Sequence, residues 1–127
     1  MEFAVRESLA ELGSRFHPCV QLHEFEALLF VDPAISALSM AIASPSLNHN
    51  LIAGKLAKIK EESQGSVECI NDSVSTAPSK RLKKIVPSYD KIAYGVACAS
   101  DVTVDVLRKG CPWLDRWLGE IESVVKT

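Results

Sequence analysis

Residues 21–30 of this chain read QLHEFEALLF, and this stretch marks a change in the spacing of apolar side chains. Before it, Phe16 to Leu22 alternates in the manner of a short strand, and Pro18 is typical of a strand start or an edge position. Within residues 21–30 the spacing of the apolar side chains becomes helical, and three of them form one stripe: Phe25, Leu28 and Leu29. The stretch therefore predicts a strand that leads directly into a short helix.

Three polar residues of this stretch are candidates for chemistry: His23, Glu24 and Glu26. On a helix, His23 and Glu26 share a face, and helical metal sites use carboxylate and imidazole ligands with this spacing. They also follow a strand, and α/β proteins gather their sites at the carboxyl ends of strands. The alternative is structural, because glutamates near a helix start stabilise it through the helix dipole.

A second motif, TAPSKRL at residues 76–82, predicts the start of another helix. Ser75 or Thr76 can cap this helix, Pro78 lies in its first turn, and the free amides there favour an anion. Four basic side chains follow: Lys80, Arg81, Lys83 and Lys84.

Two interpretations of these basic residues stay open. In the first, Lys80, Arg81 and Lys84 contact phosphate or a nucleic-acid backbone. In the second they form a solvated face, opposite Leu82, Ile85 and Val86 in the core. Cations near a helix N-terminus oppose the dipole, so the helix gains nothing from them there, which favours the binding role.

The rest of the chain predicts helices. Asp32-Pro33 begins one of them with a cap and a first-turn proline, and Ile35, Leu38 and Ile42 are predicted as its buried face. The best second strand, Val102 to Val104, is weak, so the predicted strand has no convincing partner in this chain. The predicted fold class is mostly α with one short N-terminal strand, in one domain over residues 1–127.

Composition excludes several classes of protein. A net charge of −2 and an isoelectric point near 5.9 mean that any nucleic-acid binding must come from a local patch. The longest apolar run, Ala27 to Val31, is too short to span a bilayer, and residues 1–15 are too charged for a secretory leader. The four cysteines form no CxxC pair, and we interpret them as reduced core residues of a cytoplasmic protein.

Taken in order, the motifs resemble a bacterial family, the domain-of-unknown-function family 4276. The resemblance rests on residues 20–30, 70–72, 76–82 and 89–91, and on Cys111-Pro112 with Trp117-Leu118. Members of that family resemble Toprim domains, the α/β metal-binding fold of topoisomerases, primases and related nucleases. The resemblance implies that this chain is the C-terminal portion of such a protein. It places the magnesium-binding acids in an N-terminal half without a counterpart here, so no cofactor is expected for this portion.

The resemblance also implies a function. We expect an incomplete, non-catalytic piece of a nucleic-acid-processing protein, with His23, Glu24 and Glu26 as catalytic candidates of unknown role and Lys80, Arg81 and Lys84 on phosphate. The alternative is an interaction module that pairs its strand edge or apolar surface with a second copy, an ATPase or the missing half. A third interpretation is a metal hydrolase that uses Asp72 together with the acidic stretch.

Overall fold

The structure is a computed structural model, and it describes residues 2–8, 13, 16–18, 24–64, 67–70 and 76–125. These ranges are mostly helical, as predicted, and none of their residues belongs to a strand. The α-helices are α1 (Glu2–Ser8), α2 (Pro33–Ala43), α3 (His49–Glu62), α4 (Pro78–Ile85), α5 (Val96–Asp101), α6 (Val104–Gly110) and α7 (Pro112–Val125). The described helices also include two 3₁₀ helices, Phe25–Phe30 and Val67–Cys69, and a π-helical turn, Lys91–Gly95.

The predicted N-terminal strand is not supported. Phe16–Pro18 forms an irregular segment, and residues 19–22 lie outside the described residues. The carbonyl oxygen of His17 accepts a hydrogen bond of 2.9 Å from the indole nitrogen of Trp117, so α7 rather than a neighbouring strand satisfies it. Val102–Val104 is not a strand either, because Thr103 caps α6. The described part of the chain therefore gives no support to a Toprim-like sheet. It also gives no support to an exposed strand edge with which a partner chain could pair.

The 3₁₀ helix Phe25–Phe30 lies at the centre of the fold, in contact with α2, α3, α4 and α5. Leu29 and Phe30 are fully buried there and join one core. Its last turn ends at Val31, whose carbonyl oxygen accepts a hydrogen bond of 2.8 Å from Lys60 Nζ on α3. A lysine at this end also complements the negative end of a helix dipole.

Helix α2 begins as predicted but buries a different face. Asp32 caps it, because its Oδ1 accepts a hydrogen bond of 3.1 Å from the Ile35 amide. The buried residues are Ser36, Ala37, Ser39 and Met40. The predicted face was wrong, since Leu38 is 49% and Ile42 is 71% exposed. The small inward side chains let α2 lie against its neighbours. The hydroxyl of Ser36 donates a hydrogen bond to the carbonyl oxygen of Leu29. The hydroxyl of Ser39 has two acceptors within reach, the carbonyl oxygen of Ile35 and the carboxylate of Asp101.

The cysteine prediction holds in part. Among the described residues, Cys69, Cys98 and Cys111 are free thiols, and Cys98 and Cys111 are buried. Cys69 is exposed, which corrects the prediction that it lies in the core. Burial raises the pKa of the Cys98 thiol to about 11, so it stays protonated at neutral pH. No helix within the described ranges is long and apolar enough to cross a bilayer.

Close packing around the π-helical turn gives a first prediction. A Cβ added at Gly95 would lie 2.9 Å from Tyr89 Oη and 3.3 Å from Phe25 Cε1. We expect Gly95→Ala to lower the free energy of unfolding by about 1–2 kcal/mol, because overpacking outweighs the helix preference of alanine. Urea denaturation measures the loss.

Gly54 on α3 provides the matched control, because a Cβ there would meet nothing within 4 Å. Gly54→Ala should raise the free energy of unfolding by about 0.5–1 kcal/mol. Equal effects of the two substitutions would contradict the packing argument.

Candidate functional site

The two motifs singled out in the sequence meet in the structure. Glu24 Oε2 accepts a hydrogen bond of 2.8 Å from the backbone amide of Ser79, which lies in the first turn of α4. The residue at the cap position, Ala77, offers no side-chain acceptor of its own. A carboxylate from the first motif therefore occupies the helix start at which the second motif predicts an anion.

The surroundings keep Glu24 ionised. Hydrogen bonding by Ser79, through its side chain and its backbone amide, lowers the pKa of Glu24, while partial burial opposes this effect. Lys91 and Lys80 lower the same pKa further through their charges. Glu24 is thus a negatively charged cap at neutral pH, which is a structural use of a residue predicted as a catalytic candidate.

Glu26 is buried, with only 2% of the residue exposed. Its Oε1 lies 3.4 Å from Lys91 Nζ and accepts a hydrogen bond of 3.5 Å from the Tyr89 hydroxyl. Its Oε2 is shielded from solvent and has no hydrogen-bond partner. Burial raises the pKa of the Tyr89 hydroxyl, and the negative charge of Glu26 raises it further. The hydroxyl therefore keeps its proton and remains a hydrogen-bond donor.

Lys91 is the residue of this site that the sequence analysis missed. Its Nζ lies 5.4 Å from the centroid of the Phe25 ring, a cation–π contact, and its side chain is 61% exposed. Asp90 caps the π-helical turn by accepting hydrogen bonds from the amides of Ile92 and Ala93. A cation directly after a cap opposes the helix dipole, and the same signal drew attention to Lys80.

The basic residues of α4 have different environments. Lys80 and Lys84 are exposed, as a phosphate contact requires. Arg81 is half-buried, and its Nε donates a hydrogen bond of 3.0 Å to Thr76 O, so it holds the segment that leads into α4. Two further candidates, His23 and Asp72, lie outside the described residues.

The described residues contain no group of three or more His, Cys, Asp or Glu side chains that could hold a metal ion. The site instead consists of two carboxylates, those of Glu24 and Glu26, and one ammonium group, that of Lys91. The ammonium group contacts Glu26 and, through its charge, lowers the pKa of Glu24. The exposed lysines of α4 lie next to this arrangement, because Glu24 contacts the first turn of that helix.

The cap has a testable pH dependence. In the folded protein the pKa of Glu24 is lowered from its ordinary value of 4.5. The stability that the ionised Glu24 contributes is therefore complete above pH 4.5, and it is lost as the pH falls through the lowered pKa. At neutral pH we expect Glu24→Gln to lower the free energy of unfolding by about 0.5–1 kcal/mol, as for other exposed caps. The difference from wild type should shrink as the pH is lowered, which denaturant titrations at several pH values measure.

Glu61→Gln on α3 serves as the control, because this exposed carboxylate lies in the last turn of its own helix and not at a helix start. Its effect on stability should be small at every pH. A Glu24→Gln effect that is independent of pH would show that the ionised cap does not stabilise α4.

Comparison with known proteins places the chain in a family. A family model described as a domain of unknown function, DUF4276, matches residues 1–122. No curated protein and no solved structure matches the chain. The matched range includes both motifs, the capping contact between them and Lys91. The chain therefore belongs to the family of the domain of unknown function DUF4276.

Proposed function

We propose that this chain is the non-catalytic, nucleic-acid-contacting C-terminal portion of a Toprim-like nucleic-acid-processing protein of the bacterial cytoplasm. The relationship to Toprim proteins comes from the resemblance of the motifs. The contact with nucleic acid is supported by α4, which carries four basic side chains and no acidic one in a chain with a net charge of −2.

The geometry of α4 supports a contact with phosphate. Lys80 and Lys84 are one helical turn apart, share a face and are both exposed. Leu82 and Val86, both fully buried, anchor the opposite side in the core. A short helix held in this way presents its cations at fixed positions, so less conformational freedom is lost when they bind a polyanion.

The two carboxylates support a non-catalytic role for this portion alone. Glu24 is engaged at the start of α4, and Glu26 is buried beside Lys91. A general base must lie within hydrogen-bonding reach of the proton that it removes, and the contacts of these two carboxylates are with Ser79, Lys91 and Tyr89. On the resemblance to Toprim domains, we assign the catalytic acids and their magnesium to another part of the protein.

Charge reversal on α4 tests the proposal. We expect the double substitution Lys80→Glu and Lys84→Glu to weaken binding to a labelled oligonucleotide, because it removes two phosphate contacts. The slope of log K against log salt should become less steep by roughly 2, since each contact contributes about 0.9 on duplex DNA. Fluorescence anisotropy over a range of KCl concentrations, with a chelator present, measures both quantities.

The matched control is Lys55→Glu with Lys58→Glu on α3, which changes the net charge equally at two exposed lysines. The control should weaken binding less and leave the slope closer to wild type. If both pairs lower affinity and slope equally, α4 is not the contact surface. If the wild-type chain binds neither duplex nor single strand, the proposal fails.

A second candidate function, an interaction module, is favoured by α2. This helix contains no charged residue, and its outward face carries the exposed side chains of Leu38 and Ile42. An uncharged helix with apolar residues on both faces is typical of a position between two layers of protein. Candidate partners are a second copy, an ATPase or the N-terminal half that the resemblance implies.

Self-association can be tested with the chain alone. If a second copy covers this face, Leu38→Glu with Ile42→Lys should abolish a concentration-dependent rise in sedimentation coefficient. Leu51→Glu is the control, because Leu51 is a comparably exposed apolar residue on α3, at 58%. A wild-type chain that sediments as a monomer at all concentrations would contradict the homo-oligomer.

A further inference from the structure

The aromatic ring of Phe25 lies close to the start of the basic helix α4. Phe25 directly follows Glu24, whose Oε2 accepts a hydrogen bond of 2.8 Å from the backbone amide of Ser79 in the first turn of α4. Because neighbouring Cα atoms are only about 3.8 Å apart, this contact also brings Phe25 close to that turn. Lys80, the next residue of α4, is exposed. An aromatic side chain thus borders the cations of the phosphate-contacting helix.

The ring of Phe25 is fixed at its edge. A Cβ added at Gly95 would lie 3.3 Å from both Cε1 and Cζ of the ring, so the backbone of the π-helical turn packs against this edge. Phe25 is half-buried and packs against the hydrophobic core. A ligand that covers the ring face therefore does not have to order the side chain first, which lowers the entropic cost of binding.

The ammonium group of Lys91 lies over the face of this ring. Its Nζ is 5.4 Å from the ring centroid, and the Lys91 side chain is 61% exposed. The ring face below this side chain therefore opens toward solvent. The same Nζ lies 3.4 Å from Oε1 of the buried Glu26, so this carboxylate keeps the ammonium group next to the ring. Glu26 acts here as a positioning residue for Lys91.

An aromatic face bordered by cations fits an unstacked nucleobase. Proteins that bind single strands combine cations, which follow the phosphates, with aromatic side chains on which bases stack. In a duplex the base faces are stacked on one another, so a protein ring does not reach them. Aromatic rings prefer offset stacking, so a base can cover part of the Phe25 face while Lys91 stays beside Glu26. The ammonium group is then available to the adjoining phosphate.

We propose that Phe25 is a stacking platform for a base of single-stranded nucleic acid, whose phosphates contact Lys91 and α4. The inference rests on the proposed function for its phosphate contacts and deepens it, because it names single strands as the preferred class of nucleic acid. The charges of Lys91 and Lys80 both lower the pKa of Glu24, which agrees with one basic surface around the ring.

Phe25→Leu tests the stacking, because leucine retains an apolar side chain but has no aromatic face. In fluorescence anisotropy, wild type should bind a labelled strand of thymidines more tightly than a duplex of the same length. Phe25→Leu should weaken binding to the single strand about tenfold and leave binding to the duplex nearly unchanged. The slope of log K against log salt should stay as in wild type, because the ring carries no charge.

Tyr94→Leu is the matched control for this substitution. Tyr94 is a half-buried aromatic residue of the π-helical turn, and its ring stacks on that of Tyr89, with the centroids 6.4 Å apart. Because a protein ring already covers a face of Tyr94, its replacement should leave binding to the single strand nearly unchanged.

An abasic strand of the same length provides a comparison that needs no variant. Wild type should bind it about tenfold more weakly than the thymidine strand, because the phosphates remain and the stacking is lost. Phe25→Leu should distinguish the two strands less than wild type does. Circular dichroism checks folding, and the abasic strand can overturn the proposal even if Phe25→Leu does not fold.

The proposal is overturned if wild type binds the thymidine and abasic strands equally, or if Phe25→Leu and Tyr94→Leu lose the same affinity. Charge reversal at Lys80 and Lys84 that still weakens binding would then sustain the proposed function without the stacking. The opposite result, a loss on Phe25→Leu with no effect of charge reversal, would sustain the stacking and refute α4 as the contact surface.

Discussion

The hydrogen bond between the Ser79 amide and Glu24 joins two segments that are 55 residues apart in the chain. It supplies the cap that α4 lacks locally, and it fixes that helix against the 3₁₀ helix at the centre of the fold. Leu82 then enters the same core as Phe30 and Met40. Without a carboxylate at this point, the first turn of α4 would expose unsatisfied amides next to a basic sequence that opposes the helix dipole.

The geometry of the 3₁₀ helix accounts for the difference between the two glutamates. With about three residues per turn, residues three apart are eclipsed, so Glu26 lies on the same side as Leu29 and is drawn into the core. Glu24 precedes the helix and remains at the surface. The α-helical interpretation of the same stretch placed Glu26 on one face with His23. The choice between the two helix types depends on packing against α2 to α5, which a local pattern does not contain.

The sequence was most informative where the chemistry is local. The start of α2 at Asp32-Pro33 follows from capping and proline geometry, and the structure confirms it. The start of α4 at Pro78 follows from the proline, but its cap position is Ala77 rather than the predicted Ser75 or Thr76. The buried face of α2 could not be predicted by hydrophobicity, because Ser39 satisfies its hydroxyl with the carbonyl of Ile35 within its own helix. In the candidate site, the anion at the start of α4 was predictable. That the anion is Glu24, and that Lys91 lies beside Glu26, depends on contacts between distant residues.

The π-helical turn Lys91–Gly95 has a consequence for comparison within the family. Its wide turn, closed by the Val96 amide on the carbonyl of Lys91, contains one residue more than a regular turn. A relative with a single deletion between Asp90 and Cys98 would form an ordinary α-helix there. Because the wide turn takes up the extra residue, the side chains on either side of the deletion would keep nearly the same orientation relative to one another. A change of one residue in chain length at this turn would therefore leave the lysine facing the buried acid.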